Sequence, residues 1–237
     1  MRVYDGEQLD VLEKIVAGLE RIASRFGPTR LNVPPLIPES VLDHTGYPKL
    51  FPHLVGGVAT PSDRAEHGLM LTSAACHHVY PRIADSMVDE SVFHTVDGYC
   101  FRNEGEVEPG RLRSFRMYEI VMVGGEEECR SWRDSLLWES QEFLGGFGID
   151  TGSQVASDPF FGRPGRLLTN EQTDKKLKWE LLAEVHPGYS QAVASFNHHE
   201  VHFGSAFGIR RPNGEYAHSA CAAFGLDRLL LAHTRRS

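Results

Sequence analysis

Three short stretches of this 237-residue chain carry side chains suited to handling a nucleotide and a carboxylate. They are Phe101-Arg102-Asn103-Glu104, Arg111-Leu112-Arg113-Ser114-Phe115-Arg116-Met117-Tyr118-Glu119, and Cys221-Ala222-Ala223-Phe224-Gly225-Leu226-Asp227-Arg228. A guanidinium is a planar fork that can bind two oxygens at once, on a carboxylate or a phosphate. A phenylalanine ring offers a flat apolar face for a base. Taken singly, each arginine reads as a surface salt bridge and the phenylalanine as core. The combination points further: an arginine and a glutamate two apart, a glycine-containing loop, a second arginine four residues before a phenylalanine, and an arginine about a hundred residues later.

For these groups to serve one site, the elements that carry them must aim them together. Residues 99–104 and 111–124 read as two strands joined by a loop from Gly105 through Gly110, which could fold over a bound nucleotide. Period-2 alternation places Cys100, Arg102 and Glu104 on one face of the first strand. Arg111, Arg113, Phe115, Met117 and Glu119 share a face of the second. Leu9, Leu12, Ile15, Val16, Leu19 and Ile22 predict a helix over 7–25, ended near Gly27-Pro28. Leu31-Asn32-Val33-Pro34-Pro35 reads as extended, because residues before proline avoid the α region. A second helix is predicted over 126–144, a strand over 176–185, further sheet over 191–209 and an apolar helix over 222–233. Strands gathered in the middle without βαβ alternation predict an α+β fold with an antiparallel sheet flanked by helices, in one domain spanning 1–237.

Composition narrows the chemistry. The net charge is −8, and the basic residues are dispersed apart from Lys175-Lys176-Leu177-Lys178 and Arg235-Arg236. A protein gripping tRNA through many phosphates would show a basic face or arm, so no tRNA is expected as a partner. No apolar run is long enough to span a bilayer, and the start carries no signal-peptide pattern, so no membrane partner is expected. Four scattered cysteines do not form a disulfide framework, which points to a reducing cytoplasm.

The first two stretches resemble motif 2 of the class II aminoacyl-tRNA synthetase catalytic domain, and the third resembles motif 3. Leu31–Pro35 is similar to motif 1, the dimer element, and Gly46-Tyr47-Pro48-Lys49-Leu50-Phe51 to the segment that follows it in seryl enzymes. Cys76, in Leu71-Thr72-Ser73-Ala74-Ala75-Cys76, stands where ordinary seryl enzymes have a Thr-x-Glu loop. With Glu119 and Cys221 it resembles the metal set of one family: the amino acid:[carrier protein] ligases, relatives of the atypical zinc-dependent seryl-tRNA synthetases. The resemblance implies a class II synthetase catalytic domain paired as a homodimer. It implies zinc on Cys76, Glu119 and Cys221, a donor set of two thiolates and a carboxylate that leaves a position for the substrate amine. It further implies ATP with magnesium, a small amino acid (glycine or alanine favoured) and a phosphopantetheinylated carrier protein as partners. Residue by residue, Arg102 would bridge the substrate carboxylate and the α-phosphate as the catalytic group. Glu104, Arg111, Phe115, Gln191 and Arg228 would complete the ATP site, with Phe115 under the adenine and Arg228 on the γ-phosphate. Lys178, Glu180 and Asn197 would face the amino acid.

Departures from that pattern are specific. Gln191 stands where seryl enzymes commonly have a magnesium-binding glutamate, Asp227 replaces a glutamate, and Ala222-Ala223 replace glycines. His198, Glu200 and His202 could place two imidazoles one helical turn apart, but His199-Glu200-Val201-His202 is one residue short of the metalloprotease spacing, and the histidines read as satisfied sheet or loop groups. His77 and His78 are rival metal ligands of lesser standing, and Cys100 and Cys129 read as structural. Two alternatives accompany the ligase reading. A truncated seryl-type tRNA synthetase is disfavoured by the lack of a heptad-patterned hairpin or anticodon domain. A non-catalytic paralogue that binds ATP or an amino acid and regulates a partner draws on Gln191.

Overall fold

The computed structural model describes residues 3–59, 68–104, 108–160 and 162–235. In chain order the elements are α1 (Gly6–Ser24), β1 (Thr29–Val33), β2 (Leu36–Pro38), α2 (Glu39–His44), α3 (Tyr47–Leu50), β3 (Leu69–Leu71), β4 (Val92–Phe101), β5 (Ser114–Gly124), α4 (Glu126–Gly146), β6 (Gly152–Val155), α5 (Gly162–Asp174), β7 (Lys178–His186), β8 (Tyr189–His198), α6 (His202–Ala206), β9 (His218–Gly225) and α7 (Leu226–Thr234). Two 3-10 turns, Ala75–His78 and Tyr80–Arg82, lie between β3 and β4.

Helix α1 starts at a capping box: the Asp5 side chain accepts from the Gln8 N–H at 3.0 Å, and the Gln8 side chain accepts from the Asp5 N–H at 3.3 Å. Its periodic residues Leu12, Ile15, Leu19 and Ile22 are buried, whereas Leu9 remains exposed. Gly27, at φ +61°, releases the chain from the helix toward β1. Helix α4 matches the predicted span closely.

Seven strands form one sheet in the order β1-β4-β5-β9-β8-β7-β6. All neighbours are antiparallel except β1 and β4, which run parallel, so the sheet is mixed rather than purely antiparallel. Helices cover one face. There Tyr118, Ile120, Phe196, Ala222 and Phe224 meet Leu12, Leu19, Trp132, Leu136 and Leu229 in a continuous core. Each fully buried large side chain contributes about 1.5–3 kcal/mol of transfer free energy. The 3-10 turn Ala75–His78 and helix α6 cover part of the other face around Val96, Val121, Cys100 and Cys221. Helix α6 sits close on the chain because it carries Gly204, where a Cβ would fall 2.0 Å from the Ala217 carbonyl oxygen.

Two predicted boundaries are corrected. The alanine run at 222–223 belongs to β9, and the helix begins only at Leu226. Alanine and leucine favour a helix locally, but the backbone groups of 218–225 are taken by the ladders of β5 on one side and β8 on the other. Sheet predicted over 191–209 stops at His198, and α6 follows after Glu200, which sits in the left-handed region at φ +51°.

Candidate active site

A cavity of about 520 Å³ opens on the sheet face opposite the main helix layer. Strand register decides which side chains reach it. On β5, Phe115, Met117 and Glu119 share the face of Cys100 on β4, because Cys100 pairs with Phe115 and Val96 with Glu119. Glu119 lies opposite Ala223, and Cys221 lies opposite Asn197, so these residues occupy the same face on β9 and β8. Lys178 pairs with Asn197 and Glu180 with Ser195, which extends the row onto β7. Cys76, Arg102, Glu104, Phe115, Glu119, Lys178, Glu180, Asn197, Cys221 and Arg228 all line the cavity.

Arg102 sits just past the end of β4. Its N–H still joins the ladder, donating to the Arg113 carbonyl at 2.8 Å. Its guanidinium lies 5.5 Å from the Phe115 ring centroid and donates through Nε to the Ser73 carbonyl at 3.2 Å. Arg228, in the first turn of α7, donates to the Gly110 carbonyl at 2.9 Å and the Ala192 carbonyl at 2.8 Å. Those bonds hold the guanidinium at the cavity margin.

Two expected ATP residues are placed differently. Arg111 precedes β5 and does not line the cavity; it is ion-paired with Glu104 and, at 2.8 Å, with Glu108. The Glu104 carboxylate is therefore already engaged by Arg111. Gln191 also stays out of the cavity. A register shift on β7–β8 pairs Leu181 with Ala194 but Leu182 with Ala192, so Val193 is the extra residue. One extra residue reverses the alternation, which puts Gln191 opposite Ala183 on the helix-covered face. There it is buried, with neither amide atom in a hydrogen bond. The Gly105–Gly110 loop lies outside the described residues at 105–107.

Lys178 is bound on both sides, at 2.6 Å by Asp158 and at 3.2 Å by Glu180. Asp158 is clasped by Gln172 of α5, whose Nε2 donates to its carboxylate at 2.9 Å while Oε1 accepts from its backbone N–H at 2.7 Å. Burial alone would raise the Asp158 carboxyl, but Lys178, Gln172 and Arg102 hold it below the usual range. Sequence reasoning missed Asp158; it follows β6 in a segment with no distinguishing spacing. It also missed Tyr47, which forms an aromatic wall with Phe51 at 4.8 Å and, through Phe51, with Phe160 at 5.2 Å. Tyr47 lay within the singled-out Gly46–Phe51 segment.

Cys76, Glu119 and Cys221 are all buried. Glu119 accepts from the Ala75 and Cys76 backbone N–H groups at 3.0 and 3.1 Å. Burial and the adjacent Cys221 charge nevertheless push its carboxyl up to about 7. Neighbouring Cys221 and burial push the Cys76 thiol well up, whereas Cys76, His199 and Asn197 around Cys221 bring its thiol well down. Among the described residues, no three His, Cys, Asp or Glu side chains stand in metal-ligating geometry. Both Glu119 oxygens are directed at backbone amides instead. Chemically the donors fit zinc: two soft sulfurs and a carboxylate line one buried space, where burial and Cys221 make Glu119 harder to ionise and Cys221 and burial do the same to Cys76.

The histidines read as satisfied groups mostly find partners. His198 faces His218 at 3.2 Å, and His202 faces the Thr45 carbonyl at 2.8 Å. His78 meets the Thr72 hydroxyl at 3.0 Å, while buried His77 packs edge-on against Tyr47. Cys100 and Cys129 are buried and free. Among the described residues, no helix is long and apolar enough to cross a membrane.

No protein-family model matches the chain. M. kandleri SerRS, solved in complex with A. aeolicus tRNASec, superposes with a TM-score of 0.80 at 22% identity, over 95% of this chain and 51% of that one. Seryl-tRNA synthetase from Pyrococcus horikoshii complexed with ATP gives 0.74 at 17% identity, over 95% and 50%. The chain thus spans about half the length of these synthetases, and the likeness shows a class II synthetase catalytic fold. Two curated proteins of Bradyrhizobium diazoefficiens are nearer in sequence. Amino acid--[acyl-carrier-protein] ligase 1 is 34% identical over 87% of this chain and 71% of its own length. Amino acid--[acyl-carrier-protein] ligase 2 is 34% identical over 94% and 74%. At that identity and coverage, on the fold that motif-like stretches had implied, the chain belongs to the amino acid–[acyl-carrier-protein] ligase family and is a ligase.

Proposed function

We propose that this ligase activates a small amino acid, glycine or alanine favoured, as its adenylate and passes it to the phosphopantetheine thiol of a carrier protein. The observation that carries the reading is the convergence on one cavity of Arg102, Phe115 and Arg228 with Cys76, Glu119 and Cys221. A carboxylate and a triphosphate must be brought together in line, and most of the catalysis is positioning and charge neutralisation.

In the first step a carboxylate oxygen of the amino acid attacks the α-phosphorus of magnesium-bound ATP. The bond from that phosphorus to the β-phosphate bridging oxygen breaks, and pyrophosphate leaves. Arg102 binds both the carboxylate and the α-phosphate, Phe115 supports the adenine, and Arg228 neutralises the γ-phosphate. Glu104 turns from Arg111 to the adenine amino group. Gln191 contributes no magnesium contact from its place on the helix-covered face. In the second step the carrier thiol loses its proton to solvent and its sulfur attacks the acyl carbon. The bond from that carbon to the phosphate oxygen breaks, giving a thioester and AMP. Cys76, Glu119 and Cys221 would hold zinc, whose chemistry when bound is capture of the substrate's amino group. Lys178, Glu180 and Asn197 line the amino-acid end of the cavity. We also assign the protein as a homodimer paired through the β1 edge.

The test is amino-acid-dependent exchange of pyrophosphate into ATP across the standard amino acids, with and without a zinc chelator, followed by thioester formation on a phosphopantetheinylated carrier. Chelator-sensitive exchange with one or two small amino acids and acylation of the carrier support the reading. Absence of exchange from zinc-loaded protein overturns it in favour of a binding relative.

A further inference from the structure

The sulfur of Cys221 is approached by two N–H-bearing side chains from β8 and the residue after it. Asn197 Nδ2 donates to it at 3.3 Å, and His199 Nε2 stands 3.6 Å away. Both placements are built into the sheet. Asn197 is the direct cross-strand partner of Cys221. His199 is pinned by its backbone N–H, which donates to the Ser219 carbonyl at 2.8 Å, and by its Nδ1, 3.1 Å from the Ser219 hydroxyl. Phe203 packs edge-on against the imidazole at 4.9 Å. When the Ser219 hydroxyl donates to Nδ1, the ring proton lies on Nε2 and points at sulfur.

We infer that Asn197 and His199 are positioning residues for the metal, donating N–H groups to the Cys221 thiolate and fixing its orientation toward zinc. This rests on the zinc reading above. A thiolate in a buried space carries charge that water cannot solvate, and two fixed N–H dipoles offset part of it without competing for the metal. Neither residue needs to touch the ion. Asn197, assigned to the amino acid on sequence grounds, has its amide hydrogen directed to sulfur. Its Nδ2 also donates to the Ser195 hydroxyl at 3.3 Å, so it faces the cavity through its side-chain carbonyl oxygen.

The test reads metal binding in the full chain rather than turnover. Zinc affinity is measured by competition with a chromophoric chelator, and the sulfur-to-metal charge-transfer band is recorded on cobalt-substituted protein. His199→Ala and Asn197→Leu are each expected to weaken zinc by about 10-fold to 100-fold and to shift that band, while His199→Gln, which keeps an N–H donor, recovers most of both. Unchanged affinity and an unchanged band in both donor-free variants would overturn the assignment. Equal losses in His199→Gln and His199→Ala would overturn it too, since packing rather than the donor would then matter. If His199→Ala does not fold, Asn197→Leu carries the comparison alone. Wild-type protein that takes up neither zinc nor cobalt overturns the underlying metal reading, a result separable from the others.

Discussion

The guanidinium of Arg102 lies 5.5 Å from the centroid of the Phe115 ring, although the two residues stand on opposite sides of the loop joining β4 to β5. The Cys100–Phe115 pairing sets this distance, because it fixes how far beyond the strand end the arginine can reach. A cation and an aromatic face are thereby offered to the same volume before any ligand enters.

Arg102→Ala should lower amino-acid-dependent pyrophosphate exchange by about 100-fold to 1000-fold, the range for losing one preorganised charge-stabilising group. Arg102→Lys should recover little, since an ammonium cannot bind two oxygens as a fork does. Thermal unfolding run in parallel checks that the fold is intact. A near-normal rate in Arg102→Ala would remove the arginine from the reaction.

Cys76→Ser and Cys221→Ser should each strip most of the zinc, read by elemental analysis, and each should abolish exchange. The two losses are expected to track one another. Full activity in either metal-free variant would separate these thiols from the chemistry.

Asp158→Asn should destabilise the protein by about 2–3 kcal/mol, because it leaves the ammonium of Lys178 nearly buried with a weaker partner. The figure is below that for a fully buried pair because a third of the Asp158 side chain stays exposed. Combining it with Lys178→Met should cost less than the two single changes together. Denaturant unfolding of the four proteins measures the coupling, and additive losses would show that the pair is not energetically joined.

His198 supplies a pH dependence. Burial first, then the neighbouring His218 and His199, lowers its imidazole from 6.5 to about 3 in the folded protein. Between those values the unfolded chain binds a proton that the folded protein refuses, so acidification favours unfolding. The contribution is fully present above about pH 6.5 and is lost as pH falls toward 3, by up to about tenfold in the folding equilibrium per pH unit. His198→Gln should flatten unfolding free energies measured between pH 4 and pH 7, and an unaltered slope would assign the acid sensitivity to other groups.

Local sequence determined helices α1 and α4, the strand that carries Phe115 and Glu119, and ten of the side chains that line the cavity, while of β4 it located only the end at 99–101. Their signals are short-range: the 3.6-residue apolar period of the helices and the alternation from Phe115 to Glu119. What only the tertiary structure decided depends on partners distant in the chain. The alanine-rich segment before Gly225 is a strand because β5 and β8 both bond to it. Gln191 leaves the cavity because an extra residue at Val193 inverts the alternation of β8. Asp158 enters because Lys178 and Gln172, from two other elements, hold its carboxylate in place. Hydrogen-bond ladders and buried ion pairs join residues that no local pattern links, so spacing alone identifies the reactive types while register decides which of them meet.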